Sequence, residues 1–309
     1  MVNYLFYFLI FPGFLFAAAG GGILSWFDRK ITARLQFRKG PPLLQPFYDV
    51  IKLLGKETLV PRNSAKIPFL YAPVFALAGA TLGAVFILLP SFGITTGFRG
   101  DLIVIYYFLT VPSISWIIGA MATGNPLAIT GASREMKLIL SYELAFLLIL
   151  AAIIYKSGVT LNLADVIDYQ EHNGAMAGSL SGILLMIAFI FCIQAKLGMV
   201  PFDMAEAETE ITAGMFIEYS GFSYALVKLT RYILLFILPS FLVILFLGGF
   251  QWSGTGILWS VLKLLAEVLV LTLIRNTNPR LKLGQAMRFF FVGMNLLVIA
   301  AFVLSLYGL

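Results

Sequence analysis

Metal ligands and thiols are nearly missing from this chain. It holds one cysteine, Cys192, and one histidine, His172, in 309 residues. An iron–sulfur cluster or a haem with two His or Cys axial ligands needs more than that from a single chain. An internal disulfide is excluded outright, and Cys192, inside an apolar run, reads as inert packing. Charge is the next scarcity. Only 12% of residues are charged, against about 25% in soluble domains, too few to cover a water-facing globule. No Gly-x-Gly-x-x-Gly or Walker pattern occurs, so no nucleotide site is drawn. No catalytic triad assembles around His172, which reads as solvated in an external loop. The first basic stretch has no ladder of stacking aromatics, which argues against nucleic acid. The first charged residue is Asp28, so the N-terminal apolar run lacks the basic flank of a cleaved signal and is expected to stay in the protein.

What is present is apolar mass: 60% hydrophobic residues and a mean hydropathy of +0.95. It comes in long unbroken runs, not in the ~10-residue alternating segments of a barrel. The chain therefore reads as one all-α, polytopic membrane domain over residues 1–309, since a spanning helix needs ~20 apolar residues. Runs at 4–27, 68–92, 101–123, 136–156, 181–200, 214–248, 255–275 and 287–307 predict about eight spans. The run at 214–248 is too long for one straight crossing and is taken as a single tilted or broken helix. With eight spans the connections alternate in charge. The segment 28–67, Arg134 and Lys137 near 124–137, Lys196, and Arg275, Arg280, Lys282 and Arg288 fall on one side. Only Arg99 and Lys156 fall on the other. This bias predicts both termini outside and the 28–67 loop in the cytoplasm.

Within that loop, Phe47, Ile51 and Leu54 recur at helical spacing, with Asp49, Lys52 and Lys56 elsewhere around the turn. The pattern predicts a short amphipathic helix at the membrane surface, with Gly40, Pro41 and Pro42 breaking the chain before it. Gly20, Gly21 and Gly22 predict close helix contact.

The acids are the informative residues, because there are only 15. Asp203, Glu206, Glu208, Glu210 and Glu218 lie within one short segment at the entry to the sixth span. If 203–218 is helical, Asp203, Glu206 and Glu210 share one face. Two readings stand: solvated loop charges, or acids lining one path inward. Glu218 precedes a long apolar run, and a carboxylate at mid-span is costly enough to imply a role or a partner. Glu143 lies inside the fourth span beside Ser141 and Tyr142, open to a structural hydrogen bond or to a relay. Glu267 reads as the intrahelical partner of Lys263, four residues away. Lys228 and Arg231 are candidate counter-ions for the acidic path.

The motifs, taken together, resemble the family of the H subunit of respiratory complex I (mitochondrial subunit 1). They run in order: Asp28-Arg29-Lys30, Ala33-Arg34-Leu35-Gln36, Arg38, Gly40-Pro41, Leu44-Gln45-Pro46, Asp49, Lys52-Leu53-Leu54, Ser141-Tyr142-Glu143, Pro201-Phe202-Asp203, Ala205-Glu206-Ala207-Glu208, Glu218-Tyr219-Ser220-Gly221, Asn278-Pro279-Arg280-Leu281-Lys282 and Gln285-Ala286. One departure marks a branch. Gly40-Pro41-Pro42 runs straight into Leu43-Leu44-Gln45, where quinone-reducing members carry an insert. That short loop resembles the membrane subunit of energy-converting [NiFe] hydrogenases and membrane-bound sulfur reductases.

The resemblance implies a multi-pass subunit of the cell membrane that joins a cytoplasmic redox arm to ion-translocating subunits. The implied partners are hydrogenase-like large and small subunits, an iron–sulfur subunit and antiporter-like membrane subunits, with ferredoxin as electron donor. The iron–sulfur clusters, and a NiFe centre if there is one, would sit in those partners and none in this chain. Glu143, Asp203, Glu206, Glu208, Glu210 and Glu218 would form an acidic proton or ion relay, and Arg29, Arg34, Arg38 and Asp49 the docking surface for the arm. Three further readings stay open: a quinone-site subunit, an independent ion transporter and a structural anchor.

Overall fold

The computed structural model describes residues 2–252 and 254–308, and among these the ordered elements are all helices. In chain order the α-helices are α1 Val2–Leu9, α2 Phe14–Leu35, α3 Gln45–Leu54, α4 Lys66–Ser91, α5 Asp101–Met121, α6 Pro126–Lys156, α7 Leu163–Asn173, α8 Leu180–Lys196, α9 Glu208–Ile211, α10 Gly221–Phe246, α11 Gly256–Thr277, α12 Leu283–Arg288 and α13 Asn295–Leu306. A π-helical stretch, Phe289–Met294, joins α12 to α13 without a break. Seven stretches are long and apolar enough to cross a membrane: α1–α2 together, α4, α5, α6, α10, α11 and α12–α13. The apolar α8 has 17 residues, about 25 Å at 1.5 Å per residue. It completes the predicted set of about eight.

Local chemistry explains where several helices begin. Asn125 caps α6 by accepting from the Leu127 amide at 2.9 Å, and Pro126 takes the first helical position, where no amide is needed. Asn162 and Ser179 cap α7 and α8 in the same way. In the middle of the bundle lies α10, buried almost throughout, which is why its sequence is apolar on every face. It packs on α2, α3, α4 and α8. At Gly21 the α2 backbone meets the α10 backbone so closely that a Cβ would overlap the Tyr232 carbonyl. Gly20 faces the Phe236 ring and Gly22 the Phe47 ring, so the glycine run does what small residues do between membrane helices.

The structure redraws several expected boundaries. The first crossing is interrupted at Ile10–Gly13 and then runs on to Leu35, so Arg29, Lys30 and Arg34 sit on a helix and not in a loop. Arg134 and Lys137 likewise lie on α6, whose 31 residues extend to about 46 Å, well beyond the ~30 Å hydrocarbon core. The 214–248 run holds one long helix, as expected, but it starts at Gly221. His172 is exposed, as read, but on α7. In α3 the inward residues are Pro46 and Val50. Phe47 reaches Gly22, while Ile51 and Leu54 are exposed apolar residues on its outer side.

Candidate functional site

The segment between α8 and α10 is mostly irregular. It holds only the single-turn α9 and a 3-10 turn at Gly214–Phe216. The shared helical face expected for Asp203, Glu206 and Glu210 therefore does not form, because Pro201 and Gly214 interrupt the run. The segment is instead pinned from outside. Leu281 N donates to Pro201 O (3.1 Å), Gln194 Nε2 donates to Val200 O (2.6 Å), and Gly131 of α6 lies against the backbone of Ala205 and Met215 with no room for a side chain. These ties turn the acids toward different neighbours.

Asp203, Glu206 and Glu208 line one cavity of about 340 Å³, shared with Asp28, Arg29, Lys228, Arg231, Arg275 and Arg280. Most of its charges are paired. Arg280 Nε meets Asp203 Oδ2 at 2.8 Å, Arg275 Nη1 meets Asp28 Oδ2 at 2.7 Å, and Arg231 binds Glu206. Thr272 Oγ1 also donates to Asp28 at 2.9 Å. At the α3 end, Asp49 takes Arg29 at 3.1 Å and Gln45 at 2.9 Å, with Lys228 at 4.0 Å. Burial alone would raise the Asp49 carboxyl. The Gln45 and Arg29 hydrogen bonds and the Lys228 charge outweigh burial and hold it below the ordinary 3.8. Asp203 goes the other way: burial dominates over the Arg280 charge and its carboxyl lies above 3.8.

A second, much smaller space of about 10 Å³ shares Asp203, Glu206, Leu197 and Gly198 with the first and is walled by Glu135 and Lys196. It is about the size that admits one water. Glu135, 5% exposed, faces Glu206, Arg231 and Lys196, and enters no ion pair among the described residues. Beyond it, Lys196 Nζ donates to Glu143 Oε1 at 2.6 Å. The rings of Phe146 (5.1 Å), Tyr142 (5.3 Å) and Tyr106 (6.0 Å) surround that ammonium. This is a buried ion pair in an aromatic cage, where attraction is weakly screened. The other Glu143 oxygen is buried and has no partner. Chemically, the arrangement is a line of carboxylates and their cationic partners running from a polar cavity to the middle of α6.

Of the expected relay residues, Glu143, Asp203, Glu206 and Glu208 lie on this line or at its mouth. Glu210 does not. It is exposed and holds Arg134 at 2.5 Å. Glu218 is not at mid-span. It precedes α10 and takes Asn125 Nδ2 at 2.5 Å, away from both cavities. Of the two expected counter-ions, Arg231 binds Glu206, while Lys228 lies 4.0 Å from Asp49 and, among the described residues, pairs with no acid of the expected path. Lys263 and Glu267 are not a pair. Lys263 Nζ turns to the Leu247 and Gly249 carbonyls at the end of α10 (2.5 and 3.4 Å), and Glu267 Oε1 is buried without a partner. Arg29 and Asp49 join each other at the cavity, whereas Arg34 and Arg38 stand apart beside Phe37 and Lys39. Sequence reasoning missed Glu135 and the placement of Lys196. A signal for Glu135 existed. Asn125-Pro126 is a helix start, and a helix from there puts Glu135 about 12 Å before Glu143 and within ~80° of its face.

Comparison with known proteins adds a family to this geometry. The model of a family described as "NADH dehydrogenase" matches residues 7–306. The H subunit of the NADH-quinone oxidoreductase of Thermomicrobium roseum is 35% identical over 287 residues, covering 85% of this chain and 84% of that protein. The corresponding protein of a Geobacillus species is 34% identical, covering 86% and 82%. Among solved structures, a chain of the membrane-bound sulfane sulfur reductase, an archaeal respiratory membrane complex, superposes with a TM-score of 0.87 at 24% identity, covering 99% of this chain and all of that one.

Proposed function

The chain belongs to the NADH dehydrogenase family, among its H subunits, and from that premise we propose that it couples a cytoplasmic redox arm to the movement of protons or sodium ions. It is a multi-pass membrane subunit of a complex I-like, respiratory-type assembly, and its relatives work among partner subunits. The finer reading gives it a ferredoxin-linked hydrogenase or sulfur-reductase arm and antiporter-like neighbours. The clusters and any NiFe centre belong to the arm.

One observation carries the coupling: the continuous run from Asp28, Asp203 and Glu206 through the small Glu135 space to the Lys196–Glu143 pair. A charge or loop change at the docking surface shifts the balance at Asp203 and Glu206. Glu135 feels that shift across a poorly screened gap, and Lys196 stands between the two α6 carboxylates and responds to both. At the two ends, Asp203 Oδ1 and Glu143 Oε2 are buried without a hydrogen-bond partner. Glu208 serves at the mouth, while Glu210 and Glu218 hold the segment's shape through Arg134 and Asn125.

The short turn after Gly40 supports an arm that does not reduce quinone. There the Trp26 indole N–H donates to Pro41 O at 3.1 Å and closes the segment on α2. A quinone-site reading draws on the names of the curated relatives, and bound quinone extracted from the purified complex would favour it. The test of coupling is Glu135→Gln and Glu143→Gln in the native complex, with ions moved per electron read in sealed vesicles. Coupling is expected to fall while electron transfer in leaky vesicles continues. An unchanged ion-to-electron ratio in both variants sinks the proposal.

A further inference from the structure

Away from the acidic line, an open groove of about 610 Å³ is lined by Lys282, Gly284, Gln285, Arg288, Phe289, Val292 and Gly293. We propose that it is a specific site for one membrane lipid with an anionic phosphate headgroup. Its two ends differ in chemistry. Lys282 and Arg288 mark the polar end, and Arg288 is the last charged residue before the apolar stretch 289–308, which puts it at headgroup depth. The arginines of the acidic cavity are occupied, and these two cations are not. Arg29, Arg134, Arg231, Arg275 and Arg280 each hold a carboxylate, whereas Lys282 and Arg288 are exposed and enter no ion pair among the described residues. Gln285 Oε1 is used by the Lys282 amide at 3.0 Å, leaving its NH2 end to donate. Two cations and an amide donor match a phosphate monoanion.

The apolar end suits a hydrocarbon chain. Phe289 forms a fixed wall, its ring set against Phe191 (5.2 Å) and Phe202 (5.7 Å). Gly284 and Gly293 leave the floor bare, since a Cβ at either would meet nothing within 4 Å. Glycine inside a helix is less favourable than alanine, and here no neighbouring helix uses the space that Gly293 leaves. The wider π-helical turn runs along the same surface. The whole groove thus passes from unpaired positive charge to bare apolar backbone in the direction of the bilayer, in the same order as headgroup and chain. A protein helix from a partner would need an acidic end and a ridge to fill the groove. A lipid brings both features in one molecule and is present at the highest concentration at this depth.

The experiment uses the intact complex in mild detergent with phosphatidylglycerol carrying a photoactivatable diazirine in its acyl chain. In the parent, label is expected on segment 289–308, displaced by excess phosphatidylglycerol and not by phosphatidylcholine. Two variants probe the two ends: Lys282→Gln with Arg288→Gln removes the charge, and Gly293→Leu fills the floor while touching no charge and improving helix propensity. Labelling is expected to fall about tenfold or more in each. Equal competition by phosphatidylcholine overturns the proposal, as does unchanged label in both variants. A photo-crosslinking residue at Val292 that captures a partner protein in the parent complex overturns it too, by giving the groove to a partner helix.

Discussion

Glu143→Gln removes the acid from a pair whose cation, Lys196, has a side chain only 1% exposed. At 2.6 Å and an effective dielectric constant of about 20, the Coulomb attraction is about 6 kcal/mol. Desolvation of both ions takes back part of it, and breaking such a pair from one side costs about 3–5 kcal/mol. The aromatic rings around Lys196 return about 1–2 kcal/mol to the orphaned ammonium. Lys196→Met, which strands the carboxylate among the same rings, is therefore the worse single change. The double variant Glu143→Gln/Lys196→Met removes both charges and is expected to regain most of the lost stability, a coupling of about 2–3 kcal/mol in a double-mutant cycle. Resistance of the purified complex to heat in detergent gives the order: parent, double variant, Glu143→Gln, Lys196→Met. Vesicle assays give the other half, with coupling absent in all three variants. If the singles are as stable as the parent, the pair is not held as the geometry indicates. If the double variant moves ions normally, the acidic line does not run through these residues.

Gly21→Ala places a methyl on the Tyr232 carbonyl; overpacking of about 1–3 kcal/mol is expected, read as a lower yield of intact complex from the membrane. Asp49 and Asp203 should part company on acidification. The Asp49 carboxyl lies below 3.8, so its contribution is complete above that value and is lost only as pH falls through its lowered folded value. The Asp203 carboxyl lies above 3.8, so its buried charged form counts against stability at neutral pH, and protonation as pH falls through the raised folded value relieves that cost. Hydrogen exchange across a pH series should therefore show α3 losing protection on acidification while the backbone near 281 keeps or gains it, and the reverse order refutes the assignment. Asn125→Ala removes the 2.5 Å donor to Glu218 and the α6 cap together. A loss of about 1–3 kcal/mol is expected, with faster exchange at 126–130, while Asn125→Asp keeps the cap but sets two carboxylates face to face and should be at least as harmful.

Composition and run length alone determined that this chain is a helical membrane protein with about eight crossings, because a bilayer leaves no other way to satisfy the backbone of such long apolar runs. The ordered motifs determined the family, and the rarity of acids pointed to Glu143, Asp203 and Glu206. What sequence could not decide was the partner of each charge. Spacing along one helix suggested Lys263 with Glu267, yet the end of α10 offers Lys263 two bare carbonyls and wins. Spacing also suggested one acidic face over 203–218, but that face needs a helix that Pro201 and the positive-φ Gly214 do not continue. Lys196 looked like a loop charge and is buried, because α8 is short and its last turn ends against Glu143. Glu135 was hidden among apparent loop residues until α6 proved to start at its Asn125 cap. The charge pairs that matter most join segments far apart along the chain, such as Lys196 with Glu143 and Arg275 with Asp28. The packing of helices sets such distances, and no local pattern encodes them.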